Sequence, residues 1–272
     1  MQKVLLISGC KQSGKTSAMN YLVGHMLVTN KIMIGEPAVQ RPISYFELDE
    51  KGDLYIDFPY LDENGEQKEE LVKFDILRED ADFVDMAENV IFPLINVYSF
   101  GNALKRSAAA FFGLSLDELN GTNEDKDKLS PIKWESINKL VKKKKADRVD
   151  ETYLTNREFL EIWGTDICRT IDDNCWANCV FQDIATGGYP LCIVTDCRFK
   201  SEIEYARAIN GLDVKVVRLK RRPFDSTATA EVDLLDYDGF DAVIDNTEMD
   251  QMQKGAALVE LLQSWGWIPQ WS

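Results

Sequence analysis

Residues 3–8 form a short apolar run, Lys3 followed by Val4, Leu5, Leu6 and Ile7 and closed by Ser8, of the kind carried by a strand buried on both faces. The spacing then changes to that of a helix over residues 17–26. The same switch recurs along the chain. An apolar, β-branched run at 90–100 precedes a helix at 103–112, and a run at 191–196 precedes a helix at 202–210. Strands at 214–219 and 241–246 follow, with a last helix at 249–265. Pro93 confines the start of the 90–100 strand to a sheet edge, because proline cannot donate to a ladder. Repeated strand–helix alternation without an internal repeat predicts an α/β fold, a parallel sheet with helices on both faces.

Two stretches have a different texture. Short β-like runs at 43–48, 54–58 and 70–76 are separated by the turn signals Lys51-Gly52-Asp53 and Glu63-Asn64-Gly65. They predict an antiparallel meander inserted into the core over residues 36–90, closing with a helix at 81–89. Residues 120–155 are polar and carry Lys142, Lys143, Lys144 and Lys145. This segment reads as a solvated face, or as a lid whose cations approach phosphate when it closes. Thr155 with Glu158 three residues on predicts a capped helix at 157–163, with Gly164 as its stop and a long amphipathic helix at 166–184. The whole chain, 1–272, reads as a single domain with the insertion and the lid-like segment.

Candidate chemistry is concentrated just after the first strand. Gly9, Gly14, Lys15 and Thr16 have the spacing Gly-x-x-x-x-Gly-Lys-Thr between a strand and a helix, that of a phosphate-binding loop. The glycines let the backbone turn tightly and bring N–H groups near phosphate oxygens, and the helix points its positive end at them. Lys15 would reach the β- and γ-phosphates, and the Thr16 hydroxyl would hold Mg²⁺.

Composition narrows the class. The formal charge of −15 argues against a general nucleic-acid binder, whose footprint is basic. No stretch approaches the roughly eighteen apolar residues of a membrane span, and nothing before the glycine loop resembles a cleavable leader. We expect a soluble, cytoplasmic protein. The six cysteines have no zinc spacing and His25 is the one histidine, so the cysteines read as reduced, buried thiols.

Further residues are open to two readings. Asp196 ends a strand at the edge where α/β sheets bind ligands, with Arg198 two residues later. It could hold Mg²⁺ directly or through water, bind a second substrate, or pair with Arg198. Gly164 and Thr165 could be a helix stop and cap, or part of a site with Arg169 one turn on. Trp176 could be core packing. Lys105 and Arg106 open the 103–112 helix, where cations oppose the helix dipole unless a phosphate lies nearby.

Taken together, the stretches 6–16, 99–106, 164–169 with Trp176, and 194–202, with weaker ones at 217–219 with Glu231 and at 243–246, resemble the deoxynucleoside monophosphate kinases of tailed bacteriophages, a divergent branch of the phosphate-loop nucleoside monophosphate kinases. They follow the family's order over nearly the whole chain. Residues 36–90 and 120–150 match nothing in that family, and Gly101-Asn102 departs from its usual turn. The resemblance implies transfer of the γ-phosphoryl of ATP to a deoxynucleoside monophosphate (dNMP), with Mg²⁺, in nucleotide biosynthesis. It implies ATP on Gly9, Lys11, Ser13, Gly14, Lys15, Thr16 and Ser17. It implies the acceptor near Lys105, Gly164, Thr165, Trp176, Asp196, Arg198 and Glu202, with Trp176 facing the base. Lys15, Arg169 and Arg198 would be catalytic. Partners would be small nucleotides, with no nucleic acid and no membrane; a homodimer stays open. A phage-encoded chain would act in the host cytoplasm. Two rivals remain: a phosphate-loop kinase for another small molecule, and a nucleotide-dependent switch or ATPase without an acceptor.

Overall fold

The computed structural model describes residues 1–10, 12–78, 80–138, 152–221, 234 and 236–270. Lys11, the run from Lys142 to Lys145, and Glu231 lie outside the described residues. Strand β1 (Gln2–Ser8) is buried continuously from Val4 to Ser8, as a strand covered on both faces must be. Helix α1 (Lys15–Thr29) follows. A short antiparallel pair, β2 (Met33–Ile34) and β3 (Arg41–Pro42), leads into the expected meander. Its strands are β4 (Phe46–Leu48), β5 (Leu54–Leu61) and β6 (Gln67–Phe74), paired in sequence order. Gly52 and Gly65 turn the chain between them with φ of +84° and +76°, values that favour glycine.

Helix α2 (Ala81–Val90) begins at Asp80, whose carboxylate accepts from the Phe83 N–H. The strand expected at 90–100 shrinks to β7 (Asn96–Tyr98). Val90 belongs to α2, and turn hydrogen bonds such as Ile95 N–H to the Ile91 carbonyl occupy the residues around Pro93. Helix α3 (Phe100–Phe112) starts earlier than its apolar spacing suggests, because Ser99 caps it. Lys105 and Arg106 therefore lie in its second turn, and the conflict with the helix dipole expected at its start is weakened.

Short elements follow: α4 (Leu116–Asn120), α5 (Asn123–Lys126), β8 (Leu129–Lys133), α6 (Trp134–Asn138) and β9 (Tyr153–Thr155), with β8 and β9 antiparallel. Helix α7 (Asn156–Glu161) has the Thr155–Glu158 capping box. Gly164 does not stop it: the chain runs on into a π-helical stretch, Ile162–Arg169. Helix α8 (Cys175–Gly187) begins later than the expected 166. Then come β10 (Leu191–Cys197), α9 (Lys200–Ala208), β11 (Leu212–Lys220), β12 (Ala242–Asp245) and α10 (Gln251–Ser264).

The main sheet has the order β12-β11-β1-β10-β7, and every pair in it is parallel. Leu5, Ile7, Ile193 and Val217 share a core with residues of α1 and α10. The alternate side chains Val4, Leu6, Val194 and Val216 are equally buried, and α9 packs on β11. Helices thus flank the sheet. The chain falls into two compact units, one of residues 1–98 with 184–272 and one of residues 99–183. The second has its own core around Leu119, Leu154, Phe159 and Ile162. Among the described residues no helix is long and apolar enough to cross a membrane.

Close approach of α1 and α10 depends on Gly255. A Cβ there would fall 2.1 Å from Tyr21 Cγ. Gly to Ala inside a helix ordinarily gains about 1 kcal/mol, but forcing a ring aside in a packed core costs about 1–3 kcal/mol. Overpacking wins, and Gly255→Ala should lower the melting temperature by about 2–8 °C. An unchanged or higher value in a calorimetric scan would mean the two helices have slack here.

Candidate functional site

In the first unit, β1 lies between β10 and β11, and Ser8 is in register with Cys197 and Arg218. The carboxyl ends of three parallel strands thus meet at one edge, where open α/β sheets take ligands. The loop that leaves β1 there is tightly specified. Gly9 has φ +153°, and a Cβ on it would lie 2.5 Å from Ser13 Oγ and 2.7 Å from the Leu219 carbonyl oxygen. Gln12 is left-handed at φ +63°, and Gly14 is left-handed at φ +86° where α1 begins. No side chain caps α1, and its first turn holds no acid. The positive end of the helix is therefore not met by a charge of its own, which suits an anion. Lys15 Nζ donates to the carbonyl oxygens of Gly9 and, at 2.8 Å, Cys10. Thr16 is exposed, and Ser17 is buried with its hydroxyl donating to the Gly14 carbonyl at 3.0 Å. Ser13 is buried, and among the described residues its Oγ has no hydrogen-bond partner.

The end of the chain braces this loop. Asn246, fully buried, donates from Nδ2 to the Ser13 carbonyl at 2.7 Å. Lys254, only 3% exposed, lies against Gly14: a Cβ on that glycine would be 3.0 Å from both Lys254 Cδ and Nζ. Sequence reasoning passed over Lys254. The available signal was its place on the stripe of α10 that buries Leu258 and Leu262, where a charged residue is out of keeping.

Asp196 is half-buried and Arg198 exposed at the end of β10. The backbone N–H groups of Arg198 and Phe199 donate to Glu202 Oε2 at 2.8 and 3.1 Å. Glu202 is buried, so its carboxylate fixes the turn that opens α9. Arg198 and Arg218 line a small depression with Ser8, Gly9, Cys10 and Cys197. The first unit thus gathers the glycine loop and Arg198 in one place.

The second unit holds the other predicted residues. Gly164, Thr165 and Arg169 all lie on the π-helical stretch, a geometry that occurs frequently at functional sites. Gly164 lies against α3, since a Cβ on it would be 2.8 Å from Leu104 Cδ2. Its carbonyl accepts from the Trp176 indole N–H at 3.1 Å. Trp176 is 8% exposed, so its ring is packed within the second unit. Thr165 is exposed. Arg169 donates to the Asp173 carbonyl at 3.0 Å. Lys105 Nζ donates to Asn120 Oδ1 at 2.8 Å, and Arg106 pairs with Asp183 at 2.8 Å. Gly164, Trp176 and the helix that carries Lys105 therefore form one cluster.

A family model described as deoxynucleotide monophosphate kinase matches residues 3–254. The chain belongs to this family. Among curated proteins, the deoxynucleoside-5'-monophosphate kinase of Escherichia phage T5 is 25% identical over 134 residues. That match covers 48% of this chain and 52% of the phage T5 protein, about half the length of each.

For a member of the deoxynucleotide monophosphate kinase family the metal question turns on donor chemistry. The Thr16 hydroxyl and the Asp196 carboxylate are hard oxygen donors, which fit Mg²⁺ and not a thiolate metal. Burial pushes the Cys192 thiol up to about 12, and burial followed by the influence of Cys168 pushes Cys175 up to about 11. Thiols held so far above neutrality are poor ligands and poor nucleophiles. Among the described residues no three His, Cys, Asp or Glu side chains cluster as metal ligands. With the thiols so disposed, we expect elemental analysis of the purified protein to find no stoichiometric zinc; one zinc per chain would contradict this.

Proposed function

We propose that the chain transfers the γ-phosphoryl group of ATP to a dNMP, giving ADP and the corresponding deoxynucleoside diphosphate. The observation that carries this is the glycine loop between β1 and α1, with its uncapped helix end and Lys15, in a chain of this family. In this reading Gly9, Lys11, Ser13, Gly14, Lys15, Thr16 and Ser17 bind ATP. Backbone N–H groups of the loop hold the β-phosphate, and Lys15 turns from its own loop carbonyls to the phosphate oxygens. Lys105, Gly164, Thr165, Trp176, Asp196, Arg198 and Glu202 serve the acceptor. Glu202 does so indirectly, by fixing the turn that carries Arg198. An acceptor phosphate oxygen forms a bond to the γ-phosphorus as the bond to the bridging oxygen breaks, and ADP leaves with that electron pair. Lys15, Arg169 and Arg198 neutralise charge in the transition state. Mg²⁺ on Thr16, with Asp196 directly or through water, would neutralise the β- and γ-oxygens when bound. The enzyme would act on free nucleotides, in the host cytoplasm if it is phage-encoded. A coupled ADP-release assay with ATP against each common dNMP and its ribonucleotide counterpart tests this. Acceptor-dependent ADP release with at least one dNMP supports it; release that ignores the acceptor contradicts it.

A further inference from the structure

Lys254 is a charge in an unexpected place. It sits in the first turns of α10, and it is 3% exposed. Among the described residues its ammonium has one hydrogen-bond partner, the neutral Gln251 side-chain oxygen at 2.8 Å. Asp250, close enough to be felt, uses its carboxylate on the Gln253 N–H at 2.8 Å as the cap of α10. The stem of Lys254 runs against Gly14, where α1 begins. The positive ends of two helices and a buried ammonium therefore come together, and Arg221 adds its own charge. Burial, then Arg221, holds the ammonium below the usual lysine range. Two buried polar atoms beside the same loop, Ser13 Oγ and Asn246 Oδ1, have no hydrogen-bond partner among the described residues. Gathering like charge in a buried position opposes folding; Asp250 offsets it only in part, since burial and Arg221 still hold the ammonium down, and an anion docked on the loop would offset it further.

We propose that Lys254 is a positioning residue of the nucleotide site, which seats Gly14 and adds its charge to that of Lys15 where a polyphosphate docks. The proposal rests on the reading that the loop binds ATP. Its bland rival is that Lys254 supplies only an apolar stem to the packing between α1 and α10.

Lys254→Met keeps the stem and removes the charge, while Lys254→Arg restores a cation. Equilibrium binding of ATP, inorganic tripolyphosphate and adenosine would be measured for wild type and both variants, with thermal melting in the absence of nucleotide. Lys254→Met should weaken ATP and tripolyphosphate about tenfold or more, equivalent to about 1.4 kcal/mol. Adenosine binding should be unchanged, the melting temperature equal or higher, and Lys254→Arg should recover part of the loss. Wild-type affinity in Lys254→Met, with ATP bound normally by wild type, overturns the Lys254 assignment alone. A lower melting temperature with equal loss for ATP and adenosine also overturns it, in favour of the packing role. No ATP binding by wild type overturns both this and the reading it rests on.

Discussion

Lys15→Ala should retain the fold and lose phosphoryl transfer by about 10²–10³-fold, the scale of removing one preorganised charge from a transition state. Lys15 is half-exposed and donates to two carbonyls of its own loop. It is not part of the buried core, and the melting temperature should stay within a few degrees of wild type, on the order of a surface substitution. The effect should fall mainly on turnover, because the lysine countercharge matters most while the γ-phosphoryl is in flight. Steady-state kinetics with ATP varied, together with a thermal scan, separates the two. Near-normal turnover would remove Lys15 from the mechanism.

Trp176 carries the second large effect, and here stability and acceptor use must be disentangled. The ring is nine-tenths buried and its indole N–H holds the Gly164 carbonyl. Trp176→Ala should cost about 3–5 kcal/mol of stability, as truncation of a buried aromatic does. Its kinetics alone would be ambiguous. Trp176→Phe keeps a ring for stacking and gives up the bond to Gly164. If the ring faces the base, Trp176→Phe should raise the dNMP Michaelis constant by about threefold or more and Trp176→Ala by about tenfold or more, on the scale of 1–3 kcal/mol for a stacked base. ATP affinity should be nearly unchanged in both. Arg198→Ala should lower acceptor affinity and turnover together, since it is exposed and a phosphate-directed arginine acts in both states. Equal loss for both nucleotides in Trp176→Phe would reduce Trp176 to packing.

β1 and β10 were legible because they are short unbroken apolar runs, buried from Val4 to Ser8 and from Leu191 to Val194. The meander was legible from Gly52 and Gly65, since only a left-handed residue makes those turns. The misread strand at 90–100 has a physical cause. Ile91 and Ile95 are both buried, but four residues apart, a helical-turn spacing that an apolar run conceals. Gly164 followed by Thr165 looks like a stop and a cap; what requires glycine there is Leu104, a contact between distant parts of the chain. The glycine loop announces itself locally, strand, turn and helix being adjacent in sequence. Lys254 does not, because its contact with Gly14 joins positions 240 residues apart in the chain.

The most direct test of the central claim follows the phosphoryl group itself. With ATP labelled at the γ-phosphate, Mg²⁺ and each common dNMP, the label should appear in a deoxynucleoside diphosphate, with one ADP formed for each. Label released as inorganic phosphate at the same rate with and without a dNMP, and none in any diphosphate, would contradict the account and leave a nucleotide-dependent ATPase in its place.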